Sequence, residues 1–440
     1  MYSDDHVERS LKVTPGGIHS QRRQTEPPLC IARASGSRVW DTDGTEYIDF
    51  HNAYGCIVLG HGDPRVREAV SAALDRLDLV GMGVTPAEVA LSERLVANIP
   101  CFEQVLLCNT GSEATLHAVR LARGVTGRRR VLKFQGAYHG THDYLLSNHL
   151  APELSGGGTE PDPQAGVLRA AVAATLVCRY NDLESVRTVV RAHGDDIAAI
   201  VVEPYGHNIG GAAPLPGFLE GLRQIADEIG ALLIFDEVIT GIRHGPGGFQ
   251  RVCGVTPDVS TLAKALGNGL PIGAIGGKRA FMERFNTSTS GDVLYSGTFN
   301  GGGGPVAAAL ATIDALSEPG AYEHMAAMGA RMRSGLAEIL RAYDLDASVS
   351  GFGSVFHIML GPGGPVVSQE DIARNDVALY SEFRRQMLSR GILDSAELQG
   401  LRSYVSLSHT EEDIDAALDA ADASLQAAMS LAGTGTGRAT

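Results

Sequence analysis

The chain has 440 residues, 44% of them hydrophobic and 20% charged, with 36 Lys and Arg against 51 Asp and Glu for a net charge of −15. That balance suits a globular protein with a sizeable buried core, and it repels phosphate backbones and anionic bilayers, so neither nucleic acid nor a membrane is an expected partner. The length calls for a large domain with a smaller companion. The amino terminus, MYSDDHVERS, is acidic where a signal peptide needs basic and then apolar residues. No run approaches the roughly 18 apolar residues of a membrane span. The six cysteines, Cys30, Cys56, Cys101, Cys108, Cys178 and Cys253, form no C-x-x-C pair and read as reduced thiols of a cytoplasmic protein.

From about residue 104, short apolar runs alternate with segments of helical period: QVLLC, EATLHAVRLAR, RRVLKF, AAIVV, FLEGLRQIADEI, ALLIF. Such alternation predicts a mainly parallel sheet covered by helices. Ala114, Ala118, Leu121 and Ala122 share one helical face, with Glu113, His117 and Arg120 on another. Leu219, Leu222, Ala226 and Ile229 repeat the pattern. The stretch 151–166, rich in Gly, Pro and acid, predicts a long exposed loop with the character of a lid. After about residue 320 the pattern becomes that of amphipathic helices, with a capping signal at Thr410 and Asp413. The expected division is residues 1–75 as an N-terminal segment of the small domain, 76–320 as the large domain, 321–432 as the C-terminal small domain and 433–440 as a disordered tail.

Three polar signals follow predicted strands, where an open α/β sheet presents its ligand groups. After QVLLC comes Asn109-Thr110-Gly111-Ser112-Glu113, whose backbone N–H groups and Ser112 hydroxyl could cup a phosphate at a helix start; for Ser112 alone, an ordinary helix cap explains the pattern as well. After ALLIF comes Asp236, a carboxylate able to keep a ring nitrogen protonated, or a solvated loop acid. Twenty-eight positions later Lys264 stands among small and apolar residues, where desolvation favours a reactive neutral amine. His139, His142 and Asp143 invite a metal reading, but no Cys or Glu completes a shell, and no metal is expected. Gly301 to Gly304 lack the strand and Lys of a nucleotide loop.

The ordered series NTGSEA, KFQGAYHG, VVEP, IFDEV, TLAKALGNGLPIGA and SGTF resembles the class III aminotransferases, enzymes dependent on pyridoxal 5'-phosphate (PLP), across nearly the whole chain. Within that family PGGIHSQRR, YNDLESV and SHTEEDID resemble the glutamate-1-semialdehyde 2,1-aminomutases and their relatives. The resemblance implies fold type I, an α/β large domain with a mostly parallel sheet of the seven-stranded type plus a smaller α+β domain. It implies that Lys264 carries PLP as a Schiff base and moves protons, that Asp236 pairs with the pyridine nitrogen, and that Val238 and Tyr138 cover the two faces of the ring. Gly111 and Ser112 would bind the phosphate, with Thr298 reaching the phosphate of a neighbouring subunit in a homodimer with shared sites. Glu203, Asn208 and His139 fall at cofactor-lining positions. Arg23 matches a carboxylate-binding arginine, and Tyr54 stands where the aminomutases have Trp.

The departures fall around the substrate. The lid differs, and Leu401 with Arg402 replaces a glutamate of the aminomutases. The leading expectation is therefore transamination from an amino acid donor such as glutamate to a carboxylate-bearing carbonyl acceptor, including a cyclic keto acid in a specialised pathway, with Arg402 at the substrate. Glutamate-1-semialdehyde 2,1-aminomutase is the alternative.

Overall fold

The structure, a computed structural model, describes residues 2–20, 23–149, 165–361, 363–394 and 402–435. Most of the expected lid, Leu401 and residues 436–440 of the expected tail lie outside them, while the last helix runs to Gly435. The chain divides into two compact units, one of residues 1–63, 323–365 and 374–440, the other of residues 64–322 and 366–373.

In the first unit, after a helix over Tyr2–Val13, come β1 (Ile31–Ser35), β2 (Arg38–Asp41) and β3 (Glu46–Asp49), a meander of antiparallel pairs. The second unit holds β4 (Gln104–Cys108), β5 (Arg130–Phe134), β6 (Thr175–Cys178), β7 (Ile197–Val202), β8 (Leu232–Asp236), β9 (Val259–Leu262) and β10 (Gly273–Gly277). These form a seven-stranded sheet in the order β4-β10-β9-β8-β7-β5-β6. Only β10 runs antiparallel to its neighbours, β4 and β9. The central strands β7 and β8 are buried at every position, as their unbroken apolar runs require of strands covered on both faces. Ala114, Ala118, Leu121 and Ala122 of the helix Gly111–Thr126 enter the core with Val131, Val201 and Ile234. His117, expected on the polar face, is also buried, packed on the rings of Phe285 and Tyr295. Leu219, Leu222, Ala226 and, unforeseen, Ile225 are buried from the helix Phe218–Ile229.

The first unit is completed by β11 (Ala347–Ser350), β12 (Val355–Leu360), β13 (Ile392–Leu393) and β14 (Arg402–Tyr404). β13 adds in parallel to β3, and β11, β12 and β14 form a second antiparallel sheet. The expected cap of the final helix is reciprocal: Asp413 N–H donates to Thr410 Oγ1 and Thr410 N–H to Asp413 Oδ2, each at 3.2 Å. No disulfide joins any of the six cysteines, and among the described residues no helix is long and apolar enough to cross a membrane.

Candidate active site

Because β10 is reversed against both β4 and β9, β4 runs parallel to β5 through β9, and all six strands end at one edge of the sheet. At the end of β4, Thr110 caps the 16-residue helix Gly111–Thr126 by accepting from Glu113 N–H. The first-turn amides of Gly111 and Ser112 have no acceptor within the helix and make its positive end. A Cβ on Gly111 would stand 2.9 Å from the Val238 side chain, so the absence of one brings this turn directly against the residues after β8. Gly140, at φ +99°, presses on Ser112 in the same way: a Cβ there would lie 2.6 Å from Ser112 Oγ.

Asp236 ends β8, 5% exposed. Its Oδ2 lies 2.7 Å from His139 Nδ1, and its Oδ1 accepts from Thr261 Oγ1 at 3.2 Å and from Val238 N–H at 3.1 Å. Thr261 stands opposite Asp236 in the β8–β9 register, which is why its hydroxyl can hold the carboxylate. Glu203, buried at the end of β7, accepts from Tyr138 N–H at 3.2 Å, Asn208 N–H at 3.1 Å and Asn208 Nδ2 at 2.6 Å. Burial pushes its pKa up, with the His139 side opposing and the Asp236 charge adding to the rise. Thr115 donates to the His139 carbonyl at 2.6 Å and contacts His142 Nε2 at 3.2 Å. Burial pushes His142 down to about 4, so this imidazole is neutral.

Gly111, Ser112, Tyr138, His139, Glu203, Asn208, Asp236 and Val238 thus form one connected cluster. Lys264 follows β9, three residues beyond Thr261, and is partly buried. Its φ of +47° lies in the left-handed region, a cost of about 1–2 kcal/mol for a residue with a side chain, and such strain persists where the surroundings fix it. Thr298 is exposed beside Phe299, and two residues on, Asn300 Oδ1 accepts from Asn109 Nδ2 at 2.9 Å, tying this segment to the β4 turn. His139, His142 and Asp143 take separate partners, Asp143 accepting from Leu168 N–H. No cluster of three His, Cys, Asp or Glu able to hold a metal occurs among the described residues.

The expected substrate residues all lie in the first unit. Arg23 is exposed. Tyr54 belongs to four consecutive residues, Asn52 to Gly55, with φ between +47° and +79°. This left-handed turn is pinned by Asn52, whose Nδ2 donates to the carbonyls of Asp49 at 3.0 Å and Tyr404 at 2.8 Å. A Cβ on Gly55 would overlap the Tyr404 ring. Arg402 is 3% exposed on β14, opposite His357, and is no surface residue. Sequence reasoning missed Thr115, Gly140 and Thr261, and weighed His142 only as a metal ligand; Gly140 and His142 carried a signal, in AYHGTH, next to Tyr138.

The cluster fits a planar, phosphorylated pyridine cofactor on its own chemistry. It offers a buried carboxylate for a ring N–H, a hydroxyl and helix-start amides for an anion, and two buried polar atoms, His139 Nε2 and Asn208 Oδ1, that no group among the described residues satisfies. A family model, aminotransferase class-III, matches residues 19–425. The glutamate-1-semialdehyde 2,1-aminomutase of Pelotomaculum thermopropionicum is 38% identical over 96% of this chain and 96% of its own. The protein of the same name from Nitratidesulfovibrio vulgaris is 41% identical over 95% of this chain and 98% of its own. An ω-transaminase from Sphaerobacter thermophilus superposes with a TM-score of 0.90 at 32% identity, covering 97% of this chain and 98% of that one. The chain belongs to the class-III aminotransferases. It has their fold, α/β with a seven-stranded parallel-rich sheet, and it is an enzyme that uses PLP and acts on small molecules.

Proposed function

We propose that this enzyme moves an amino group within one carboxylate-bearing substrate, the reaction for which its curated relatives are named, glutamate-1-semialdehyde 2,1-aminomutase. The carrying observation is identity of 38–41% sustained over 95–96% of the chain with those proteins. PLP, when bound, supplies an electron sink and a carbon that takes up and returns the amino group. Lys264 would hold it covalently and, once freed by the substrate's amine, would take a proton from and return it to the substrate carbon that bears the nitrogen. Asp236, oriented by His139 and Thr261, keeps the pyridine nitrogen protonated through a charge-assisted hydrogen bond. Val238 and Tyr138 cover the ring faces, Gly111 and Ser112 bind the phosphate, and Glu203 with Asn208 lines the phenol side. Arg23, Tyr54 and Arg402 take the substrate and its carboxylate.

Transamination between a glutamate-like donor and a carboxylate-bearing carbonyl acceptor, the first expectation from sequence, is the second reading; the curated relatives reverse that order. It is favoured by Arg402, a buried cation next to the position where the aminomutases keep a glutamate, since two acids must enter in turn. The proposed assembly is a cytoplasmic homodimer in which Thr298 completes the partner's phosphate cup. Supporting it, Met82, Val84 and Phe299 are 84%, 73% and 68% exposed, and the turn after Phe299 packs on residues 77–78, where Gly303 N–H donates to Asp78 O at 2.7 Å.

The deciding experiment supplies glutamate-1-semialdehyde with no amino donor. Formation of 5-aminolevulinate supports the first reading. Its failure, together with parallel double-reciprocal lines for an amino donor and a keto acid, replaces it with the second.

A further inference from the structure

Lys133 plays no part in the chemistry above, yet it is a lysine with no exposure at all. It sits on β5 one position before the last residue, and its Nζ donates to three backbone carbonyls: Ala137 at 2.9 Å, Leu145 at 2.9 Å and Ser147 at 2.6 Å. All three belong to the loop between β5 and the helix Arg169–Ala173, the stretch that carries Tyr138, His139 and His142. The loop is closed at its base, where Gly136 N–H donates to Asn148 O at 2.8 Å and Asn148 Nδ2 to Gln135 Oε1 at 2.9 Å. Its flank is held by Thr175 Oγ1, which donates to Tyr144 O at 2.6 Å. Between these ties the carbonyls of residues 137, 145 and 147 converge on a single point. Lys133 is fully buried there, so a carbonyl left unmatched at that point would carry the cost of an unsatisfied buried acceptor.

We infer that Lys133 is a positioning residue: its ammonium group occupies the centre of the loop 135–148 as a built-in cation, and by tying three carbonyls it fixes Tyr138 and His139 against Glu203 and Asp236. Only the protonated amine offers three N–H donors to three acceptors. Burial lowers the Lys133 pKa to about 7, with the charge of Glu203 opposing that fall, so below about pH 7 the three carbonyls hold the amine as a cation against a desolvation penalty. A buried lysine kept at this cost by backbone acceptors, with no carboxylate within hydrogen-bond reach among the described residues, acts on chain geometry rather than on charge pairing. The loop geometry stands by itself; its effect on the cofactor rests on the proposed placement of Tyr138 and His139.

The test compares Lys133→Met, Lys133→Arg and the unaltered holoenzyme by hydrogen exchange over peptides spanning 135–149, together with visible circular dichroism of the bound cofactor. The inference expects Lys133→Met to speed exchange of the Gly136, Tyr138 and Leu145 amides by at least about tenfold while exchange in β7 and β8 keeps its rate. Lys133→Arg, which keeps a cation and several donors, recovers part of that protection, and kcat falls more than KM rises as the dichroic band shrinks. If Lys133→Met folds poorly, the arginine variant alone decides, since its loop must still exchange faster than the parent's. Unchanged exchange in the loop, or a uniform rise across the whole protein, overturns the inference. A loosened loop with unchanged cofactor dichroism upholds the tie made by Lys133 and removes Tyr138 from the cofactor site instead.

Discussion

Asp236 is held from both sides before any ligand arrives, by His139 on one oxygen and by Thr261 and Val238 on the other. Asn at this position preserves the shape and loses the charge. Asp236→Asn should therefore lower kcat by about ten- to hundredfold, the equivalent of the roughly 1.5–3 kcal/mol of a charged hydrogen bond, with a smaller loss of PLP affinity. Near-normal steady-state kcat in that variant would remove Asp236 from the mechanism. Gly140 makes a sharper structural prediction, because an added Cβ meets both the Oγ and the Cα of Ser112 within 2.7 Å while φ stays at +99°. Gly140→Ala should cost about 1–3 kcal/mol of stability and weaken PLP binding by displacing Ser112. Gly254→Ala is the control: at φ +71° with nothing within 4 Å, it meets backbone strain alone and leaves PLP affinity unchanged in equilibrium titration.

At the scale of elements, buried titratable groups set how stability follows pH. Burial pushes His142 and His409 down to about 4 and lowers His117, so between pH 6.5 and 4.5 the unfolded chain binds protons at these residues that the folded chain refuses. Their contribution is present above the unfolded value near 6.5 and is lost as pH falls. Glu237, pushed up to about 7 by burial at the start of the turn after β8, acts in the opposite sense, as does Glu203: the folded chain keeps a proton there that the unfolded chain releases. The two histidines held near 4 against the one glutamate near 7 leave a balance of about one proton, a fall in stability of about 1.4 kcal/mol per pH unit on acidification across that window. Urea titrations of His409→Gln should show this slope close to zero; an unchanged slope would contradict the assignment.

The strands and the helix Gly111–Thr126 were legible because apolar runs and 3.6-residue faces depend on local sequence alone. The places of Asp236 at the end of β8 and of Lys264 after β9 were legible because a strand's end announces itself in that pattern. Thr261 was not, since its role arises from register between β8 and β9, and no spacing along one strand reports its neighbour. Lys133 was hidden for the same reason: a lysine near the end of a strand reads as solvated until the loop beyond it folds back. Tyr54 could be read as an aromatic residue but not as part of a left-handed turn, which Asn52 fixes through a carbonyl 352 positions away.

For the molecule as a whole, assembly and covalent chemistry are the claims that matter. If Met82 faces a second copy, Met82→Glu buries a charge in that interface while leaving the isolated fold intact, because the side chain is 84% exposed. Sedimentation should show a dimer in the parent and a shift to monomer in the variant, with PLP affinity falling as the dimer dissociates. An unshifted dimer would move the interface elsewhere. The most direct measurement of all is borohydride reduction of the yellow holoenzyme followed by peptide mapping. The account predicts the reduced cofactor on Lys264, the strained lysine after β9. Label on Lys133, whose amine is taken up by three carbonyls, or on Lys278, paired with Asp258 at 2.6 Å, would contradict it.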